Sequence, residues 1–217
     1  MNNETITEKY LLCMLKEKKI TNSDLLVHVF ASMIIEMMLE GNLEITEKNK
    51  IKLTDKVPTI SYYKELYDII KAKRKDSIKI KDLISDICYY TFTEKKLKSI
   101  ITPLKQRMED NGLITIQHKK IIFIKKEKII ISNEKFNSYV EEIRAELLEE
   151  GKLTDEIILL AALLDSTKFL KNIFTKYEKE TINKQLKEIK DTPIGKNVKI
   201  AQDVITEMLM IIIAAAA

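Results

Sequence analysis

Eight consecutive apolar residues, Ile157 to Leu164 (IILLAALL), constrain this chain more than any other stretch. Read as part of a helix over 155–164, the segment has no polar face, and a helix that is apolar nearly all round must be covered on several sides. The carboxyl-terminal half is therefore expected to form a helical bundle around it. Four Gly and three Pro in 217 residues are too few for a sandwich or barrel with many tight turns, so long helices with short joints are expected elsewhere. With 45% apolar and 32% charged residues the composition is that of a soluble globular chain rather than a disordered one.

Local chemistry sets the helix boundaries. Thr5 and Glu8 have capping-box spacing, and Tyr10, Leu11, Met14 and Leu15 recur on one face, predicting a first helix that ends near Lys18. A second begins after Asn22 or Ser23, carries a wide apolar stripe from Leu25 to Met38 and stops at Gly41. Its methionines Met33, Met37 and Met38 read as core fillers. Leu43, Ile45, Ile51 and Leu53 alternate with polar residues as in a hairpin over about 43–53. Helices follow over about 61–72, through Leu83 to Ile87, and over 93–111; the last is stopped by Gly112, with a kink or break at Pro103. Beyond Gly112 the texture is β to about residue 131, with apolar runs 121–124 and 129–131 joined by lysine-rich turns. From Glu134 onward helices are expected over 140–150, 155–164, 167–191 with a break near Phe174, and from 195 to the end. The expected fold is mainly α, a single globular domain over 1–217 on a central helical bundle, with small β-hairpins at about 43–53 and 113–131.

Charge is unevenly distributed. Lys and Arg number 37 against 33 Asp and Glu, a net of +4, yet Thr93 to Ile131 alone holds ten basic and four acidic residues. That segment carries +6 and the remainder −2, so the basic excess points to an anionic partner at one surface. Arg occurs only at Arg74, Arg107 and Arg144, which favours diffuse ammonium attraction over bidentate guanidinium recognition. Cys13 and Cys88 match no metal or redox spacing and read as core residues in a reducing compartment. The amino terminus has no signal-peptide pattern, and the apolar run Met208 to Ala217 is too short to span a bilayer, reading as a buried terminal helix.

Catalysis finds little material. His28 lies beside Val27 and Val29 as a partly buried structural residue, and His118 lies in a basic turn; neither has a sequence-local nucleophile or second ligand. Walker, dinucleotide, zinc and nucleophile-elbow patterns are missing, so neither enzyme activity nor a cofactor or metal is expected. The distinctive unit is the helix, Gly112 and the lysine-rich hairpin, in which Lys119, Lys120, Lys125, Lys126 and Lys128 flank Ile121, Ile122 and Phe123. Such a unit suits an anionic bilayer, each lysine near the surface contributing about 1 kcal/mol. The same letters suit an edge hairpin that keeps lysines in water to avoid aggregation. They also suit a winged helix, with a recognition helix from Thr93 and residues 116–126 as the wing.

The order of elements over the whole chain resembles the Golgi phosphoprotein 3 family, prokaryotic-type members included. The similarity lies in Ile6-Thr7-Glu8-Lys9-Tyr10-Leu11-Leu12, in Ile35 to Leu43 closing the second helix, and in Leu104 through Gly112-Leu113. It continues in Ile158 to Leu164 with Phe169 to Phe174, and in the closing helix from Val198. The resemblance implies a non-enzymatic, mostly helical protein; eukaryotic members are peripheral membrane proteins that bind phosphatidylinositol 4-phosphate and cytosolic tails of glycosyltransferases. The family's membrane-touching hairpin, which can support oligomerisation, corresponds to Gln117 through Lys128. At the family's headgroup pocket this chain has Thr21 and Phe30 where a tryptophan and an arginine are used. Of two basic residues three apart on the preceding helix, Lys98 matches the first and Ile101 replaces the second; Lys95 and Lys98 restore such a pair one turn earlier. The expected activity is thus that of a cytoplasmic adaptor docking on anionic membrane or phosphoinositide through Lys95, Lys98 and the hairpin lysines, with Ile121, Ile122 and Phe123 inserting shallowly. Client protein tails and a second copy of the chain are the further partners implied, and DNA is the less favoured alternative.

Overall fold

The computed structural model describes residues 4–16, 22–46, 50–73, 76–85, 94–121, 124–148, 154–167, 169–188, 192, 195–196, 198–200, 203 and 206. For 22–27, 81, 84–85, 94–97, 119–121, 124–126 and 186 it describes the backbone alone. Helix α1 (Ile6–Lys16) starts at the capping box: Glu8 N–H donates to Thr5 Oγ1 at 3.1 Å and Thr5 N–H donates to Glu8 Oε2 at 2.9 Å. Residues Ile6 to Met14 are all buried, Thr7, Glu8 and Lys9 among them. Lys9 is tolerated there because its ammonium lies 3.0 Å from Glu142 and 2.8 Å from Glu156, with the Tyr139 ring beneath it at 5.4 Å.

Helix α2 (Asn22–Leu39) packs on α1 with Val29, Phe30, Met33, Ile34 and Met37 inward, and ends as Gly41 predicts. Gly41 has φ +72°; its N–H donates to Met38 O at 3.0 Å and Asn42 N–H donates to Met37 O at 2.8 Å, the paired bonds of a Schellman stop. Strands β1 (Leu43–Ile45) and β2 (Lys50–Leu53) pair antiparallel with Leu43 opposite Leu53 and Ile45 opposite Ile51. A third strand, β3 (Ile78–Lys79), adds to β2 and makes the expected hairpin a three-stranded sheet. Two residues carry no period, which is why alternation could not reveal it.

Helix α3 (Ser61–Lys71) buries Tyr62, Tyr63, Leu66, Tyr67 and Ile70; α4 (Ile80–Ser85) buries Leu83. Helix α5 (Glu94–Asp110) runs through Pro103 without a break. The proline removes one backbone bond, but Ile100, Leu104 and Met108 are buried in the core and hold the helix on course. Gly112, at φ +69°, repeats the α2 stop: Gly112 N–H donates to Glu109 O and Leu113 N–H to Met108 O, at 2.9 and 2.8 Å.

Strands β4 (Ile114–Ile121) and β5 (Ile124–Ile131) follow as one antiparallel ladder. This corrects the sequence expectation twice. The lysines stand within the strands rather than in turns, and His118 is a strand residue opposite Glu127. Polar letters mimic a turn when both faces of a strand are solvated, and cross-strand pairing overrides them.

Helix α6 (Asn133–Leu148) begins seven residues before the expected 140, with Phe136 and Tyr139 buried in its added turns. The apolar octet occupies α7 (Asp155–Ser166), capped by Thr154 Oγ1, which accepts from Ile157 N–H; all eight residues from Ile157 to Leu164 are buried. The predicted break falls at Phe174–Thr175, between α8 (Leu170–Ile173) and α9 (Lys176–Glu188). The described residues between 195 and 206 that carry a backbone assignment are helical; Cys88, Gly151 and the run Met208 to Ala217 lie outside the described residues. Cys13 is fully buried, and burial pushes its thiol up to about 12. His28 is buried too, 2.7 Å from the Tyr10 hydroxyl. The fold is mainly α with small antiparallel sheets, and none of the described helices is long and apolar enough to cross a membrane.

Candidate anionic-surface site

Helix α5 has two working faces. Ile100, Leu104 and Met108 enter the core, while Lys98, Ile101, Lys105 and Glu109, spaced at three, four and four residues, line the other side. That side and the ladder of β4 and β5 enclose a cleft of about 450 Å³, whose opposite wall is Ile116, His118 and Glu127. Two polar contacts fix its width. Glu109 Oε1 accepts the backbone N–H of Ile116 at 2.8 Å, and Lys105 Nζ donates to Glu127 Oε2 at 2.8 Å. The lysine holds the Glu127 carboxyl below its ordinary range.

The predicted site residues do not all meet in this cleft. Lys98 lines it, whereas Lys128, opposite Gln117 and one ladder position from Glu127, is exposed and not among its walls. Farther along, Lys119 stands opposite Lys126, Lys120 opposite Lys125 and Ile121 opposite Ile124. The base of the ladder is anchored by buried Ile114, opposite Ile131, so these lysine pairs occupy the end away from the core. Lys95 lies on α5 one turn before Lys98. Ile122 and Phe123, which join the strands, and Thr21 lie outside the described residues. Phe30 is fully buried and is not among the walls of this cleft; Ile101 is a cleft wall beside Lys98.

Sequence reasoning missed Lys105, Gln106 and Glu127, which also line the cleft. One signal was legible: Lys98 and Lys105 are seven residues apart and so share a helix face.

Behind the cleft, the core side of α5 joins a buried polar junction. Arg107 Nε lies 2.8 Å from Glu8 Oε1, and Asn111 donates to Glu8 Oε2 at 3.3 Å. Burial pushes the Glu8 carboxyl up against the opposing pull of its Thr5 hydrogen bond and of Arg107. Nearby, Glu36 accepts Thr7 N–H at 2.9 Å and the Tyr63 hydroxyl, and burial raises its carboxyl to about 7. Both carboxylates serve the first turn of α1, where backbone N–H groups are otherwise unpaired.

No curated protein matches the chain at a significant level. A family model described as Golgi phosphoprotein 3 (GPP34) matches residues 6–208. That span includes the whole of helix α1, the two glycine stops, the α5 cleft, the lysine ladder and the buried α7, and by this match the chain belongs to the Golgi phosphoprotein 3 family.

Proposed function

We propose that this chain is a non-enzymatic peripheral membrane adaptor that docks on an anionic lipid surface at the cytosolic face of a membrane through α5 and the β4–β5 hairpin. The observation that carries the reading is the ladder register. Lys119 faces Lys126 and Lys120 faces Lys125 in consecutive cross-strand positions, and like charges directly opposite one another destabilise a sheet. An anionic surface relieves that repulsion and converts it into attraction of about 1 kcal/mol per lysine. The adjoining Ile121 and Ile124 positions place apolar residues beside the lysines at the same end, a combination suited to shallow insertion together with Ile122 and Phe123. Lys95, Lys98 and Lys128 extend the basic surface. Family membership is consistent with this role, and a phosphoinositide headgroup is the finer expectation it carries.

Co-sedimentation with vesicles tests the proposal. Binding should be stronger to phosphatidylcholine vesicles containing an anionic lipid than to phosphatidylcholine alone, and should weaken as salt screens the lysines. Changing Lys119, Lys120, Lys125 and Lys126 together to Glu should lower affinity by a factor on the order of a thousand. Equal binding to neutral and anionic vesicles, or an unchanged affinity in the quadruple variant, would remove the proposal. Retardation of duplex DNA at the same salt, with no vesicle binding, would replace it with the winged-helix reading.

A further inference from the structure

The cleft between α5 and the hairpin contains both charges. Lys98 and Lys105 are balanced by Glu109 and Glu127 among its walls. Glu109 has a structural task, accepting the Ile116 backbone N–H and so tying β4 to α5. Glu127 is differently placed: it projects from β5, its side chain retains 49% exposure, and it meets Lys105 across the cleft at 2.8 Å. A carboxylate so exposed can turn into water at little cost, because an exposed ion pair is weak. Its departure would release the Lys105 ammonium to another anion.

We propose that Glu127 is an internal counter-ion, occupying Lys105 until a phosphate-bearing lipid surface displaces it and takes its place. This inference rests on the membrane-docking reading and adds its regulation. A phosphomonoester carries more negative charge than a carboxylate and offers three acceptor oxygens. The Lys105 ammonium, on a flexible stem with three rotatable donors, can follow it. Ile101 and Ile116 provide apolar walls in the same cleft. Docking is then an exchange of anions, and Glu127 sets a threshold that weakly charged surfaces do not pass.

The experiment is a double-substitution cycle on the full chain, read as affinity for phosphatidylcholine vesicles with and without phosphatidic acid. Glu127→Gln should tighten binding to the anionic vesicles by about two- to fivefold, and Lys105→Met should weaken it. In the Lys105→Met background, Glu127→Gln should bring no gain. An equal gain in both backgrounds would show a general change of charge and overturn the inference, as would no gain in either. Inorganic phosphate is the second probe: if it discriminates Glu127→Gln from the unsubstituted chain while the vesicles do not, free phosphate is the anion and the lipid assignment falls. Loss of this coupling with vesicle binding intact leaves the docking proposal standing. Failure of the unsubstituted chain and all three variants to prefer anionic vesicles removes both.

Discussion

Arg107 and Lys105 stand two residues apart on α5, and each holds a carboxylate at 2.8 Å. Distance alone makes the pairs equivalent, but their surroundings make them opposites. Glu8 is wholly buried, so desolvation dominates and its carboxyl is pushed up. Glu127 is half exposed, so the hydrogen bond from Lys105 dominates and its carboxyl is pulled down. The two cations are about equally exposed, at 28% for Arg107 and 30% for Lys105, so the difference lies in the acids: Glu8 without its partner would be left in low dielectric, which makes that pair difficult to break. A half-exposed pair can open because water replaces the lost partner. One helix thus carries a fixed joint on its core face and an exchangeable contact on its cleft face.

The largest expected effect lies on the core side. Glu8→Ala leaves the Arg107 guanidinium, the Asn111 amide and the Thr5 N–H without their common acceptor, and should cost about 3–5 kcal/mol in a urea titration. A loss below about 1 kcal/mol would show that the two pairs are energetically alike, against the contrast drawn above.

The next effect is pH-dependent and belongs to Glu36. Its folded carboxyl is raised from an ordinary 4.5 to about 7, so the folded state binds this proton more tightly than the unfolded state. The resulting stability is fully present below about 4.5 and is lost as pH rises to about 7, amounting to about 3 kcal/mol. Glu36→Gln should flatten that part of the stability profile. An unaltered slope would place the titration on other groups.

A smaller effect is expected where the chain passes from α5 to β4. Gly112→Ala places a side chain at φ +69° with nothing within 4 Å of the new Cβ, so the penalty is purely conformational. It should be about 1–2 kcal/mol in thermal or chemical unfolding. The smallest stability change is expected for Lys105→Met, within about 1 kcal/mol of the unsubstituted chain, although vesicle binding should weaken. Comparable losses for Lys105→Met and Glu8→Ala would contradict the division of α5 into fixed and exchangeable sides.

Local chemistry made part of this molecule readable. The Thr5–Glu8 box, the stops at Gly41 and Gly112 and the Phe174 break each involve residues within one or two turns, and each occurs where its spacing places it. The hairpin was legible as β, but not its strand limits, because hydrogen bonding to the opposite strand sets where Lys119 to Lys126 pair. The burial of α1 was concealed by Thr7, Glu8 and Lys9, whose compensating groups come from α2, α5, α6 and α7. The candidate site divides in the same way. Its basic excess is visible as letters, while the selection of Lys105 and Glu127 as partners depends on how the ladder lies against α5.

The sequence by itself determined the helical character, the need to enclose Ile157 to Leu164, the helix stops and the concentration of lysine beyond Thr93. These follow from propensity, period and composition, which act over a few residues. Tertiary structure decided which charges became buried joints and which stayed exchangeable, because desolvation depends on the elements packed around a group rather than on its neighbours in the chain. It is that decision which makes Arg107 part of the scaffold and Lys105, two residues away on the same helix, part of the candidate site.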